Sequence, residues 1–365
     1  MTVLTGVLVV LAVAFAWSMG AHYTGACMGM PYALRAVTAR HALFIMAPLS
    51  LLGAAVASHG VADTVGHRLL IGHGLAVGGQ IIVLAVAFAL TTVFNRLRIP
   101  TSTIQILIFS VAGTAIGAGL AVNWSTIAVL AVIWVVAPCL AGCLGYLLTR
   151  LFDLVPAVRV ETAIRRGPES ETATPPDPGA IAGPSTAGPH TDGRRPPAGP
   201  MQRLGAIGAA LVLVGAIASF AMGANDVANA TGSLVGTGTL TPVVAGLVGG
   251  GGLALGVITW GRPLLSKVAF DIVRVDRPMA TAAQLVQGLV VLAAVTFGYL
   301  TSMNQALVGA MIGAGAARGR RTVNRASVLG ILRGWIIGPG AGLVATLVVS
   351  VVVGLLVGGR PLVAP

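Results

Sequence analysis

Apolar runs close to the roughly 20 residues that cross a bilayer recur along the chain, with clear examples at 4–19, 42–58, 77–94, 126–149 and 204–222. That repetition predicts an all-α polytopic membrane protein, because a helix satisfies its own backbone groups inside lipid. Charged residues at 9% and apolar ones at 56% place the composition in the same class. The first run has no basic segment before it and no convincing cleavage site, so it reads as a retained crossing rather than a signal peptide. Crossings fall at about 3–20, 42–58, 69–94, 104–122, 126–149, 204–222, 243–259, 283–300, 304–316 and 327–358.

A net charge of +12 would suggest nucleic acid, but its distribution is topogenic. With the loop holding Arg35 and Arg40 in the cytoplasm, 19 of the 22 Lys and Arg fall on one side, leaving Arg68, Arg360 and the membrane-edge Arg333. This places both termini outside, and a bacterial plasma membrane is the expected location. Residues 154–202 are rich in Pro, Gly, Ser and Thr and poor in large apolar side chains, so they read as a disordered cytoplasmic linker. The linker divides a first transmembrane repeat, 1–153, from a second, 203–365.

The halves share motifs at nearly constant spacing. Gly20 and Ala21 match Gly223 and Ala224, Ser102 and Gln105 match Ser302 and Gln305, and Trp134 and Pro138 match Trp335 and Pro339, at offsets of 203, 200 and 201 residues. Five crossings per half is an odd number, so the second half enters from the opposite side, as in transporters built from inverted-topology repeats. The segments around 224–240 and 304–316 are short enough to be broken or re-entrant helices.

Of the ten acidic residues, nine lie in predicted loops or the linker, and Asp226 alone sits at membrane depth. A carboxylate there costs several kcal/mol unless it meets a cavity or a partner, which marks it as a functional residue. Asn225, Asp226, Asn229 and Thr231 are expected to cluster where Gly223 and Gly232 let the helix break and expose backbone groups to an ion. The remaining features read more plainly. Cys27, Cys139 and Cys143 are packing residues, the glycine run 249–252 permits close helix contact, and Arg333 snorkels or offers a fork to an anion. No nucleophile elbow, metal-ligand cluster or Walker-type loop points to an enzyme. A passive anion channel would use similar donors without needing two matching halves.

With these residues in view, the chain resembles the inorganic phosphate transporter (PiT) family. GANDVANATGSLVG at 223–236 is similar to that family's signature almost letter for letter, and the likeness extends through GLALGVITWG, VGAMIGAGAARGRRTVN and WIIGP, and more weakly through PTSTIQ and WVVAP. The resemblance implies an inverted-repeat bundle that takes up an inorganic oxyanion with a cation. It implies a central site of Asn225, Asp226, Asn229, Ser302 and Asn304, with Ser102 and Thr103 as first-half counterparts and Gln105 and Gln305 beside them. The first half departs from the family. His22 and Tyr23 stand where it repeats Asn-Asp, Gln105 and Gln305 stand where phosphate members carry His, and this half is similar to the sulfate-permease branch.

Phosphate is therefore expected first and sulfate second. Hydrogenphosphate carries a proton that an acceptor such as Asp226 can take, whereas sulfate wants donors only. The coupling ion is sodium or a proton, with Asp226 as the ligand of a sodium ion and His22 as a proton carrier. No further cofactor is expected, the lipid bilayer is the surrounding partner, and a homodimer stays open.

Overall fold

The computed structural model describes residues 2–97, 99, 101–155, 205–265, 275–319, 325–357 and 362–363. The expected linker lies outside the described residues from 156 onward. The described chain is helical, with two isolated bridges, Leu70 to Val122 and Leu75 to Val363.

In chain order the helices are α1 (Val3–His22), α2 (Thr24–Ala33), α3 (Ala39–Ala57), α4 (His59–His67), α5 (Val77–Leu97), α6 (Thr103–Gly117) and α7 (Trp124–Phe152). After the undescribed segment come α8 (Ala206–Gly236), α9 (Pro242–Trp260), α10 (Arg277–Thr296), α11 (Met303–Ala317) and α12 (Arg325–Val357). Among the described residues, eight elements are long and apolar enough to cross a membrane, the first being α1 and α2 taken together as Val3–Ala33.

Four expectations are corrected. The crossing placed at 3–20 runs on to Ala33, interrupted only at Tyr23. The one placed at 69–94 begins at Val77, after a loop that turns at Gly72 with φ 77°. Helices α6 and α11 have 15 residues each. At 1.5 Å per residue they reach only about 22 Å, short of a hydrocarbon core of roughly 30 Å; the expected crossing at 104–122 is therefore a helix too short to span the core. Finally, α8 is continuous from Ala206 to Gly236, with no break at Gly223 or Gly232. Those glycines serve packing: a Cβ at Gly223 would overlap the Ser50 carbonyl of α3, and one at Gly232 the Val65 side chain of α4.

Close approach of backbones organises the bundle. Helix α3 packs on α8 and α1 on α9, while α6 packs on α12 and α7 on α11. Each contact has glycine at its tightest point. Gly20 meets the Leu253 carbonyl, Gly113 the Leu343 carbonyl and Gly313 the Gly142 carbonyl, and none of the three has room for a Cβ. In the glycine run, Gly249, Gly250 and Gly252 face α8, α3 and α1, while Gly251 faces open space. Lipid does not drive helices together, so small residues and dispersion contacts carry such packing.

The outward faces are apolar. Val135, Leu147, Ile336 and Val348 stand exposed on α7 and α12, the surface a bilayer requires. Cys27 is buried as expected, whereas Cys139 and Cys143 lie exposed on α7, so they do not pack inside. Arg333 is also exposed on α12 and is not part of the buried core, which fits snorkelling rather than an anion fork. Asp63 lies on α4, where Arg68 and His67 bind its exposed carboxylate. At the opposite end Arg318 bridges Asp153 at 2.7 Å and Asp276 at 3.4 Å, tying together the ends of α7, α10 and α11.

Candidate functional site

The polar stretch of α8 is sealed from solvent, with Asn225 and Asp226 at 0% exposure. Asn225 clasps the residue two before α11, its Nδ2 donating to the Thr301 carbonyl at 2.8 Å and its Oδ1 accepting from the Thr301 amide at 3.2 Å. Asn229 Nδ2 donates to Asp226 Oδ1 at 3.5 Å and to Thr103 Oγ1 at 3.4 Å. The Tyr23 hydroxyl bonds Thr103 Oγ1 at 2.7 Å and lies close to the Asp226 carboxylate. Helix α8 therefore touches the starting ends of both short helices.

A second group adjoins the first. His22 Nδ1 pairs with Asn95 Oδ1, and its Nε2 lies 3.2 Å from the Thr101 carbonyl and 3.1 Å from Asn304 Nδ2. Asn304 Nδ2 also donates to the Thr101 carbonyl at 2.8 Å, and Asn95 Nδ2 to the Ser18 carbonyl at 2.8 Å. His22 thus links α1 to α5 and to the starts of α6 and α11, buried among two amides, a carbonyl and the edge-on Tyr23 ring. Ser102 and Ser302 are the N-caps of α6 and α11. Ser302 Oγ accepts from the Gln305 amide at 3.4 Å, whereas Ser102 makes no such bond.

The orientation of each amide follows from its partner. Asn304 donates to a carbonyl and Asn229 to a carboxylate, so their oxygens must point elsewhere, as must that of Gln287, whose Nε2 donates to the Met303 carbonyl at 3.4 Å. Among the described residues, Asp226 Oδ2, Asn229 Oδ1, Asn304 Oδ1, Gln105 Oε1, Gln305 Oε1 and Gln287 Oε1 are buried without a hydrogen-bond partner, as is Ser102 Oγ. Buried polar atoms are normally paired, and leaving one unpaired costs about 1–3 kcal/mol. Most of these atoms are oxygens that can only accept. They suit a hard cation such as sodium, while the helix starts at Ser102 and Ser302 place partial positive charge where an anion can lie.

The structure brings together Asn225, Asp226, Asn229, Thr103, Asn304 and His22, and holds Ser102, Ser302, Gln105 and Gln305 on the adjoining helix starts. Thr231 does not join them. Its hydroxyl bonds the Val227 carbonyl at 3.0 Å and its methyl faces Gly249, because it lies about 140° around the helix from Asp226. Sequence reasoning gave no role to Tyr23, Asn95, Thr101 or Gln287. Tyr23 was findable, since the 203-residue offset sets it opposite Asp226, and Asn95 is an amide in the last turn of an apolar helix.

Residues 19–346 match the phosphate transporter family (PHO4). A putative phosphate permease of Pyrococcus furiosus is 25% identical, over 93% of this chain and 94% of that protein. Inorganic phosphate transporter 2-1, chloroplastic, of Arabidopsis thaliana is 26% identical, over 88% of this chain and 67% of that protein. A putative phosphate permease of Haemophilus influenzae is 32% identical over a shorter stretch, covering 35% of this chain and 33% of that protein. The fold is similar to a solved structure titled the sodium-dependent phosphate transporter, with a TM-score of 0.78 over 98% of this chain and all of that one, at 20% identity.

Proposed function

Since the chain belongs to the phosphate transporter family, we propose that it is a secondary carrier that moves inorganic phosphate across the membrane together with a sodium ion. The observation that carries this reading is the pair of buried, unpaired acceptors on Asp226 and its neighbour Asn229, with further unpaired oxygens of Asn304, Gln105 and Gln305 on the first turns of the two short helices α6 and α11. The carboxylate and amide oxygens take the cation. Ser102, Ser302 and the helix starts then receive the anion, whose charge the cation offsets and whose proton an acceptor such as Asp226 can take. The solved relative's title names sodium dependence, and the oxygen-only donor set fits that ion.

Two inverted repeats, 1–153 and 203–365, would supply alternating access. In support, Val3–Ala33 and Ala206–Gly236 are both 31 residues long and lie 203 positions apart, as do Ala39–Ala57 and Pro242–Trp260, each of 19 residues. The packing also exchanges: α1 on α9 becomes α8 on α3, and α6 on α12 becomes α11 on α7. The basic loops put the connecting segment in the cytoplasm and both termini outside.

Ser102→Ala and Ser302→Ala are each expected to raise the KM for labelled phosphate in proteoliposomes by about five- to 150-fold. That range corresponds to the roughly 1–3 kcal/mol cost of an unpaired buried oxygen. Excess sulfate should leave uptake unchanged. Sulfate uptake in preference to phosphate would reassign the substrate, and an effect confined to Ser302 would reduce the first half to scaffold.

A further inference from the structure

Away from the central site, a cavity of about 370 Å³ opens where α5 begins and α8 ends, lined among others by His67, His73, Val77, Gln80, Val111 and Thr237. We propose that this cavity is a vestibule that binds the tetrahedral oxyanion before it reaches the central site. The inference rests on the reading of the protein as an oxyanion carrier.

Position is the first argument. Val111 lies nine residues along α6 from Ser102, and Thr237 eleven along from Asp226, just past the end of α8. At 1.5 Å per residue these are about 14 Å and 16 Å, half of a hydrocarbon core of roughly 30 Å. Two helices therefore run from the central cluster to the cavity walls. On the proposed topology the cavity faces outside, where an incoming anion arrives.

Chemistry is the second. Helix α5 has 21 residues, and the amides of Val77, Gly78 and Gly79 at its start have no acceptor among the described residues; of the three, Val77 lines the cavity, so the positive end of the helix lies at its wall. Independently, Gln80 lines the cavity at 8% exposure and makes no side-chain hydrogen bond. Gln80 is thus nine-tenths buried as a residue, and its unpartnered carboxamide opens onto the cavity, where it is free to pair with a ligand. The nearby carboxylate is neutralised. Asp63 Oδ1 is taken by His67 at 3.1 Å and Oδ2 by Arg68 at 2.9 Å, so this carboxylate does not stand bare against the incoming anion. Backbone amides, a carboxamide and imidazoles are donors without a dedicated fixed cation, which suits a weak, exchangeable stop rather than tight capture.

The test titrates inorganic phosphate into the full chain in nanodiscs while following isotope-labelled histidine resonances, and measures transport in parallel. Saturable shifts of His67 and His73 are expected. Gln80→Leu should weaken that titration at least tenfold and raise the transport KM several-fold at an unchanged maximal rate. Gln80→Glu, which sets a negative charge in the cavity, should do both more severely. Absent histidine shifts, or a normal KM in Gln80→Glu, would overturn the vestibule. If the parent protein moves no phosphate, the proposed function fails separately, and the histidine titration still decides whether the cavity binds the anion.

Discussion

Asp226→Asn is expected to insert and fold like the parent while losing cation-driven uptake altogether. The substitution is nearly isosteric, and the Asn229 contact can be kept through the remaining carbonyl oxygen. What disappears is the charge. Asp226 is fully buried, and its Oδ2 has no hydrogen-bond partner among the described residues. Arg277, the buried cationic side chain among them, lies in the first turn of α10 and donates to the Leu34 carbonyl instead. An ionised carboxylate so placed is costly until a cation joins it, so removing it is neutral or stabilising for the ligand-free fold. Ligand binding stabilises the folded state by mass action. Sodium should therefore raise the melting temperature of the parent and leave that of Asp226→Asn unmoved. Full uptake by the variant would remove Asp226 from the coupling mechanism.

The second large effect is structural. Gly313→Leu should destabilise the bundle by about 3 kcal/mol or more and yield little monodisperse protein. Any Cβ at Gly313 collides with the Gly142 backbone of α7, which no rotamer can relieve, and the contact holds α11 in place beneath Ser302. Gly251→Leu is the control, because that position has nothing within 4 Å. It should be recovered in parental yield and melt at the parental temperature. Equal recovery of both variants in size-exclusion chromatography would mean that α7 and α11 separate more readily than this packing allows.

Much of this was legible in the sequence where a single physical constraint dominates. Bilayer thickness fixes the length of an apolar run, so α3, α7 and α9 were located within three residues at each end. The scarcity of buried charge singled out Asp226, and the 200-residue motif offset paired Ser102 with Ser302, each of which caps a short helix. Legibility failed where one residue type serves two ends. Gly223 and Gly232 have the character of helix breakers, yet both lie inside an unbroken helix, because close approach of α3 and α4 also demands glycine. Residues 118–122 looked like a continuing span, but α6 stops at Gly117 and the chain turns through Gly119 at φ 74°. The His22, Asn95 and Asn304 network was hidden for another reason. Its partners lie 73 and 282 positions apart, and hydrogen-bond direction is set by tertiary contact rather than by local pattern.

The central claim is that a cation gradient drives phosphate through one sealed site. Its most direct measurement is uptake of labelled phosphate into proteoliposomes holding the purified protein, under an inward sodium gradient, an inward proton gradient or neither. The account predicts accumulation above the equilibrium level with sodium, collapse of that accumulation when the sodium gradient is dissipated, and exchange of internal label on adding external phosphate. Uptake that stops at equilibrium whatever the gradient, with no such exchange, would describe a pore and contradict it.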